Sequence, residues 1–312
     1  MRIVSLSASA TAIVRALGLE DELVGLSDDL WADEDGVAAI VTAPDRTAGI
    51  DDRRPGLGPT VHERSARLSG AGPAARVPDV AAIAALAPDL VLLQAGCPAC
   101  EVRFRSMAAL RSALDPATSV VSLEPVSIEG AFNAIATVGA MTEAEDEALG
   151  LVEVLRERLA GLEERVLHRR DAGRAPARVV ALEWLDPPMA AGHWLPGIIR
   201  VAGGWDLLGA DGARPVAVGW EAIRDVDPEL ILLVASGLAL PDVVAAWDAA
   251  PRPAFLGELR AVRRGAVVAL DAAAAFGRPG PDLIDGVATL AEIIDPDGFV
   301  GVGEPAAWVP VA

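Results

Sequence analysis

The residue types best able to do chemistry in this chain are two cysteines, Cys97 and Cys100, and one histidine, His193. Thiolate and imidazole are ligands that zinc and other borderline metals accept, so zinc or another metal held by Cys97, Cys100 and His193 is one expectation. A single Cys-x-x-Cys pair supplies only half of a four-ligand structural site, and plain loop packing or a redox pair stay open beside it. His62 and His168 sit among polar residues and are read as solvated. Trp184 and Trp194 lie on either side of His193, and with Trp31 they fall in segments that follow strands. Aromatic side chains gathered at such places suit a flat, apolar ligand. Glu183 and Asp186 are open to two readings: the acid/base pair of a small-molecule enzyme, or carboxylates that cap a loop.

Several chemistries are excluded outright. All 26 basic residues are Arg, so no lysine is available for a Schiff base, a P-loop or a pyridoxal-phosphate anchor. There is no Tyr either, hence no tyrosine acid, base or metal ligand. No nucleophile elbow, His-Glu-x-x-His pair or dinucleotide-type glycine fingerprint occurs. The formal charge of −19 repels a phosphate backbone and an anionic membrane surface, so no nucleic-acid partner is expected.

The elements that must position these residues alternate in type. Apolar runs at Ile3–Leu6, Leu23–Leu26, Leu90–Leu93 and Val120–Leu123 read as buried strands. Between them, helices are expected from Ser7 or Ser9 to Leu17, over Val80–Leu86, over Glu101–Leu114 and over Ile128–Ala140. The stretch from Ser27 to Arg76 is rich in Asp, Gly, Pro and Arg and reads as a loop region with one short helix near Val61–Leu68. Thr142 with Glu145 forms a capping-box pattern. After it Leu149, Val152, Leu155, Leu159, Leu162 and Val166 recur on one helical face, with Glu153 and Arg156 as an opposite-charge pair. That predicts one long helix ending near Arg170.

A second α/β run then begins at Arg178 and echoes the first. Arg2-Ile3-Val4-Ser5-Leu6 resembles Arg178-Val179-Val180-Ala181-Leu182. Ala82-Ile83 and Pro88-Asp89-Leu90-Val91-Leu92-Leu93 recur, 140 residues on, as Ala222-Ile223 and Pro228-Glu229-Leu230-Ile231-Leu232-Leu233. The 312 residues suit about two domains. The expected fold is α/β, with two doubly wound parallel-sheet lobes joined by a single long helix: 1–141, a linker helix over 142–171, and 172–312. Ligands of open parallel sheets bind beyond the carboxyl ends of the strands. Those ends hold Ser7, then Trp31, then Gln94 and Cys97, and in the second lobe Glu183 to Trp194, with Phe276 and Arg278 after the last strand.

The opening residues show one positive charge and no long apolar core of a leader, and no stretch is apolar enough for a membrane span. A cytoplasmic monomer is expected, periplasmic or extracellular if a leader has been removed.

Taken together, these segments resemble a family. The opening Arg2 to Leu6 with Ser9-Ala10-Thr11, the run Pro88 to Gln94 followed by Cys97-x-x-Cys100, and above all Leu182 to Met189 with Gly192-His193-Trp194 and Ala202-Gly203-Gly204 are similar to cobalamin-binding substrate-binding proteins of ABC importers. Trp220-Glu221, Asp227-Pro228 and Arg278-Pro279-Gly280-Pro281 continue the likeness to about residue 296, closest to a branch without a leader peptide. Two segments depart from it. The branch's usual His-Glu-Cys-Asp-Tyr-Pro run reads Ser27-Asp28-Asp29-Leu30-Trp31-Ala32, and the last motif continues with Asp282 in place of Arg. The resemblance implies cobalamin or a related corrinoid held in a cleft between lobes that close little, an ABC permease as partner, and no enzymatic activity. The ligand-binding residues would be Ser7, Trp31, Gln94, Cys97, Glu183, Trp184, Asp186, His193, Trp194, Phe276 and Arg278. Trp184 and Trp194 would pack on the macrocycle or its base, and His193 would reach cobalt or an amide side chain.

Overall fold

The computed structural model describes residues 1–27, 38–44, 76–94, 107–272 and 275–311. The chain forms two compact units, residues 1–124 with 132–151, and residues 125–131 with 152–312. The expected short helix near Val61–Leu68 lies outside the described residues, as do Glu101 to Ser106 of the expected Glu101–Leu114 helix.

In the first unit the strands are β1 (Ile3–Ser5), β2 (Leu23–Leu26), β3 (Ala39–Ile40), β6 (Leu90–Leu93) and β7 (Ser119–Ser122), between them a two-stranded pair β4 (Thr42–Pro44) and β5 (Arg76–Pro78). The main sheet runs β3-β2-β1-β6-β7, parallel throughout. Leu90 to Leu93 are all buried, which is why β6 reads as an unbroken apolar run. Helices α1 (Ala8–Ala16), α2 (Val80–Ala85) and α3 (Met107–Ala113) follow the strand–helix alternation, and Ile83 and Leu110 join Val4, Leu6, Val91 and Leu93 in one core. The first turn of α1 is capped by Ser7, whose hydroxyl accepts from the Ala10 amide at 3.5 Å. Gly18, at φ +71°, lies just past the helix end.

Helix α4 (Ile128–Met141) leads to α5 (Glu145–Asp171), which runs from the first unit into the second. One local expectation is corrected here. Thr142 does not cap α5: its hydroxyl donates back to the Val138 carbonyl at 2.8 Å and so finishes α4. Arg156 pairs with Glu129 of α4 at 2.6 Å. Leu155, Leu162 and Val166 are buried as the stripe requires, whereas Leu149 is exposed. The far half of α5 is fastened to the C-terminal unit by arginines. Arg169 donates to both oxygens of the buried Asp295, at 2.6 and 2.9 Å, and holds that carboxyl below the usual carboxylate range. Arg165 donates to the Gly298 carbonyl and lies 4.6 Å over the Phe299 ring.

The second unit contains β8 (Ala177–Leu185), β9 (Pro188–Ala190), α6 (Leu195–Val201), β10 (Gly204–Asp206), β11 (Val216–Ala217), α7 (Trp220–Val226), β12 (Leu230–Leu233), α8 (Leu240–Ala249), α9 (Arg260–Arg263), β13 (Val267–Leu270), α10 (Leu283–Ile294) and β14 (Trp308–Pro310). Its sheet runs β11-β9-β8-β12-β13-β14, with β10 also on β8. The strands β8, β10, β12 and β13 are parallel to one another, but β9, β11 and β14 are antiparallel additions. This lobe therefore has the expected doubly wound parallel core, extended at its margins by antiparallel strands. The cause is local: β8 continues past Leu182 to Leu185, turns at Asp186-Pro187, and pairs with β9 as a hairpin.

The echo between the halves is structural. Ile3 pairs with Leu90 and Val4 with Val91. At the equivalent places Val179 pairs with Leu230 and Val180 with Ile231, in the same register. The Arg2 amide donates to Asp89 and the Arg178 amide to Glu229. The Arg2 guanidinium reaches the Leu86 carbonyl and that of Arg178 the Val226 carbonyl, one at the end of each preceding helix. Ala87 and Asp227 both carry a left-handed backbone, at φ +44° and +41°.

Candidate functional site

The residues beyond the carboxyl ends of β8 and β13 form one connected structure in the C-terminal unit. Glu183 and Trp184 do not lie in a loop, as expected from the sequence, but inside the prolonged β8. Trp184 is buried, and its indole N–H donates to the Asp186 carbonyl at 2.9 Å. A side chain spent in this way stiffens the β8–β9 hairpin. Glu183 is buried as well, and its Oε1 accepts from the Gly192 amide at 2.8 Å. Asp186 is exposed in the turn. A buried carboxylate engaged by an amide and an exposed one in a turn correspond to the loop-capping reading and lend nothing to an acid/base pair.

The Gly192 to Trp194 turn is locked by its backbone. A Cβ at Gly192 would lie 2.5 Å from both the Ala213 carbonyl oxygen and the Pro215 nitrogen, so only glycine fits. His193 adopts φ +50°, its amide donates to the Ala213 carbonyl at 2.5 Å and its carbonyl accepts from the Gly212 amide at 2.7 Å. The imidazole stacks on the Trp194 indole, with centroids 5.7 Å apart and planes 22° apart. Trp194 begins α6, and its Nε1 donates to the Phe276 carbonyl at 2.9 Å. That bond ties the start of α6 to the segment after β13. There Gly277 is obligatory too, since a Cβ would sit 1.7 Å from the Ala272 carbonyl oxygen.

Glu183, His193, Trp194 and Phe276 are thus brought together, with Trp184 behind them in the hairpin. Arg278 follows directly, and its guanidinium donates twice to Asp282 Oδ2, at 3.1 and 2.5 Å. This cation is neutralised on the spot.

Sequence reasoning missed the support beneath His193. Asp206 ends β10, is buried, and accepts from the Leu208 and Gly209 amides at 3.2 and 3.0 Å. Burial pushes its carboxyl up to about 6, against the pull of the Gly209, Leu208 and Ala181 amides. The pattern Asp206-Leu-Leu-Gly209 is the only hint in the sequence, and it is a common turn motif.

In the N-terminal unit Ser7 is occupied as the cap of α1, and its carbonyl accepts from the Ser5 and Thr11 hydroxyls. Gln94 is half-buried just past β6. Trp31, Cys97 and Cys100 lie outside the described residues. Among the described residues no three of His, Cys, Asp and Glu converge on a metal position, and no helix is long and apolar enough to cross a membrane.

Comparison with known proteins places this architecture. A family model described as "Periplasmic binding protein" matches residues 3–274. Among solved structures, the vitamin B12 binding protein BtuF of Vibrio cholerae is 20% identical, with 95% of this chain and 96% of that one covered at a TM-score of 0.65. A periplasmic heme binding protein from Pseudomonas aeruginosa is 20% identical, over 95% and 92% of the chains, at 0.64. The heme binding protein HutB of Vibrio cholerae is 16% identical, over 95% and 99%, at 0.66. At such identities the likeness is one of fold. No curated protein sequence matches the chain.

Proposed function

The chain belongs to the periplasmic binding protein family, and from that premise we propose that it binds a corrinoid, cobalamin or a cobinamide-like relative. The observation that carries this reading is the His193–Trp194 stack. Two nearly parallel rings are held at the start of α6 by a backbone that leaves them little freedom. His193 and Trp194 are 6% and 9% exposed, so only the rim of this preorganised pair would meet a flat macrocycle, and its rigidity lowers the entropic cost of binding. Imidazole is also a competent axial ligand for the cobalt that the ligand itself brings.

Charge favours a corrinoid over a heme as the cargo. A heme carries two carboxylates, whereas the rim of a corrin carries neutral amides. Arg278 is satisfied by Asp282 and Arg200 by Asp211 at 3.0 Å, so neither offers an uncompensated cation to an acidic ligand. The net charge of −19 points the same way. Glu183, Asp186 and Arg278 then act by fixing and flanking the aromatic edge, and Trp184 by stiffening the hairpin behind it.

Ser7, Gln94, Trp31 and Cys97 would add contacts from the N-terminal unit. A metal chelate held by Cys97, Cys100 and His193 is the second reading, supported by the thiolate and imidazole donor types alone. In either reading an ABC permease is the partner, and delivery to it requires a location outside the cytoplasmic membrane. Retention in the cytoplasm would favour storage or trafficking of the ligand. Working limits for the parts are 1–141, 142–171 and 172–312.

Titration of the protein with aquocobalamin, dicyanocobinamide and hemin, followed by absorbance and calorimetry, tests the proposal. Saturable binding of a corrinoid with little affinity for hemin supports it. Absence of corrinoid binding at high micromolar concentration overturns it, and tight hemin binding would reassign the cargo.

A further inference from the structure

The turn that presents His193 and Trp194 is held from outside by one strap, residues 206 to 213. Its first anchor is Asp206, whose Oδ1 gathers the Leu208 and Gly209 amides. Its last is the pair of backbone bonds from Gly212 and Ala213 to His193. Between them, Asp211 pairs with Arg200 and lies against α6. A Cβ on Gly197 would come within 2.7 Å of the Asp211 carboxylate. The strap also meets the turn directly, because a Cβ on Gly209 would lie 2.4 Å from Asp206 Oδ2 and 2.9 Å from the Ala191 carbonyl oxygen.

Asp206 is an expensive way to build a turn. It is 7% exposed, and among the described residues its Oδ2 is buried without a hydrogen-bond partner. A buried carboxylate in that state costs free energy through desolvation of its charge, a cost that a neutral acceptor at the same place would lower. A turn alone does not require it.

We propose that Asp206 is a positioning residue for the ligand edge: by anchoring the 206–213 strap it sets the backbone of His193 and the His193–Trp194 stack in the geometry that receives the ligand. The location of that edge rests on the corrinoid reading above, but the mechanical coupling does not. The Asp206 carboxylate reaches the turn through the strap, and a second path runs through the Ala181 backbone, which interacts with Asp206 and whose carbonyl accepts from the Ala191 amide. Its protonation, which the burial places in the range near pH 6, would reach His193 by the same paths. The other titratable or charged groups here are Asp211 and Arg200, which neutralise each other, Glu183, whose carboxylate accepts from the Gly192 amide, Arg214 at the end of the strap, Arg178 of β8, whose backbone lies across from Trp205 of β10, and the imidazole of His193 itself.

The experiment compares wild-type protein with Asp206→Asn, Asp206→Leu and Gly209→Ala. Hydrogen exchange is followed at the peptide carrying His193, with the β12 peptide as an internal control, and aquocobalamin affinity is measured from pH 5 to 8. Asp206→Asn keeps the Oδ1 acceptor and should retain exchange protection and affinity at pH 7.5. It should also remove any inflection near pH 6 that is not due to the imidazole. Asp206→Leu should speed exchange at His193 at least tenfold and weaken binding at least tenfold, with β12 protection unchanged. Gly209→Ala, which keeps the carboxyl group but drives a Cβ against it and against the Ala191 carbonyl, displaces the strap from its anchor and should act in the same direction if Asp206→Leu fails to fold. Unchanged His193 exchange in both disruptive variants overturns the proposal. If the wild type binds no corrinoid, the ligand reading fails, while the exchange data still decide the coupling.

Discussion

The two units begin alike and part company at one place. In each, a central strand and its neighbour pair in the same register, and an arginine preceding the central strand reaches a carboxylate and a helix-end carbonyl. Beyond that strand, Ser7 and Glu183 occupy equivalent positions. In the N-terminal unit Ser7 turns the chain at once into α1 and caps it. In the C-terminal unit Glu183 stays in the strand, the β8–β9 hairpin follows, and the Glu183 carboxylate catches the Gly192 amide before α6 can start. The repeated part is framework. The candidate site is built where the repeat is interrupted, from residues whose backbone is fixed by atoms far away in sequence.

The strongest way to break this comparison is to substitute its glycines. Gly192→Ala drives a Cβ into backbone on two sides and should cost about 3 kcal/mol or more in a urea melt, with loss of ligand binding. Gly18→Ala, at the end of α1, meets open space and suffers only the left-handed backbone, about 1 kcal/mol. Equal effects at the two positions would remove the distinction between a locked turn and an ordinary helix end.

Asp206 sets a second contrast, in pH. Its carboxyl is raised from 3.8 to about 6 in the fold. The stability this contributes is therefore full below about pH 4 and lost as pH rises through 6, about 3 kcal/mol in all. Asp295 runs the opposite way: Arg169 lowers its carboxyl, so its contribution is present at neutral pH and lost as acid protonates it. Urea melts of Asp206→Asn from pH 4 to 8 should lack the loss of stability that Asp206 causes in the wild type between about pH 4 and 6. A wild-type profile rising steadily to pH 8 would contradict the burial of Asp206.

Trp194→Ala removes the stacking partner of His193 and should weaken corrinoid binding by about 1–3 kcal/mol, roughly 5- to 150-fold, by analogy with base stacking. Calorimetry decides it, and unchanged affinity would take the aromatic edge out of the site. The smallest effect tests the repeated framework itself. Arg2→Ala and Arg178→Ala each remove a bond to a helix-end carbonyl and should each cost about 1 kcal/mol in thermal or urea melts. A large difference between them would mean that the equivalence is geometric only.

Much of the framework was legible in the sequence because buried parallel strands are continuous apolar runs. Leu90–Leu93 and Leu230–Leu233 could be read directly, as could their repeat. The long helix after Met141 was legible from its periodicity. What could not be read were polar side chains captured by distant backbone. Thr142 has the pattern of a cap but turns back to the Val138 carbonyl. Glu183 looked like the first residue of a loop because it is charged, yet an amide nine residues on lets it stay buried in a strand. Trp184, taken for a loop aromatic, is held by the hairpin that the same extension creates. Asp206 gave no usable signal, since its importance lies in a strap whose far end is bonded to His193. His193, Trp194 and Phe276 could be singled out as candidates through strand ends and family likeness, but the ring stack and the Trp194–Phe276 bond are visible only in the fold.

The last strand has a consequence for the protein as a solute. Strand β14 joins β13 at the sheet margin, from a tail beyond the family match. Without those residues the backbone groups of Val268 to Leu270 would be open to any other extended chain, including an unfolded copy of this protein. A covering strand of only three residues, closed by Pro310, satisfies the margin while offering a poor template for further growth. Trimming the tail would therefore be felt first as lost solubility on concentration and storage, well before any change in ligand affinity.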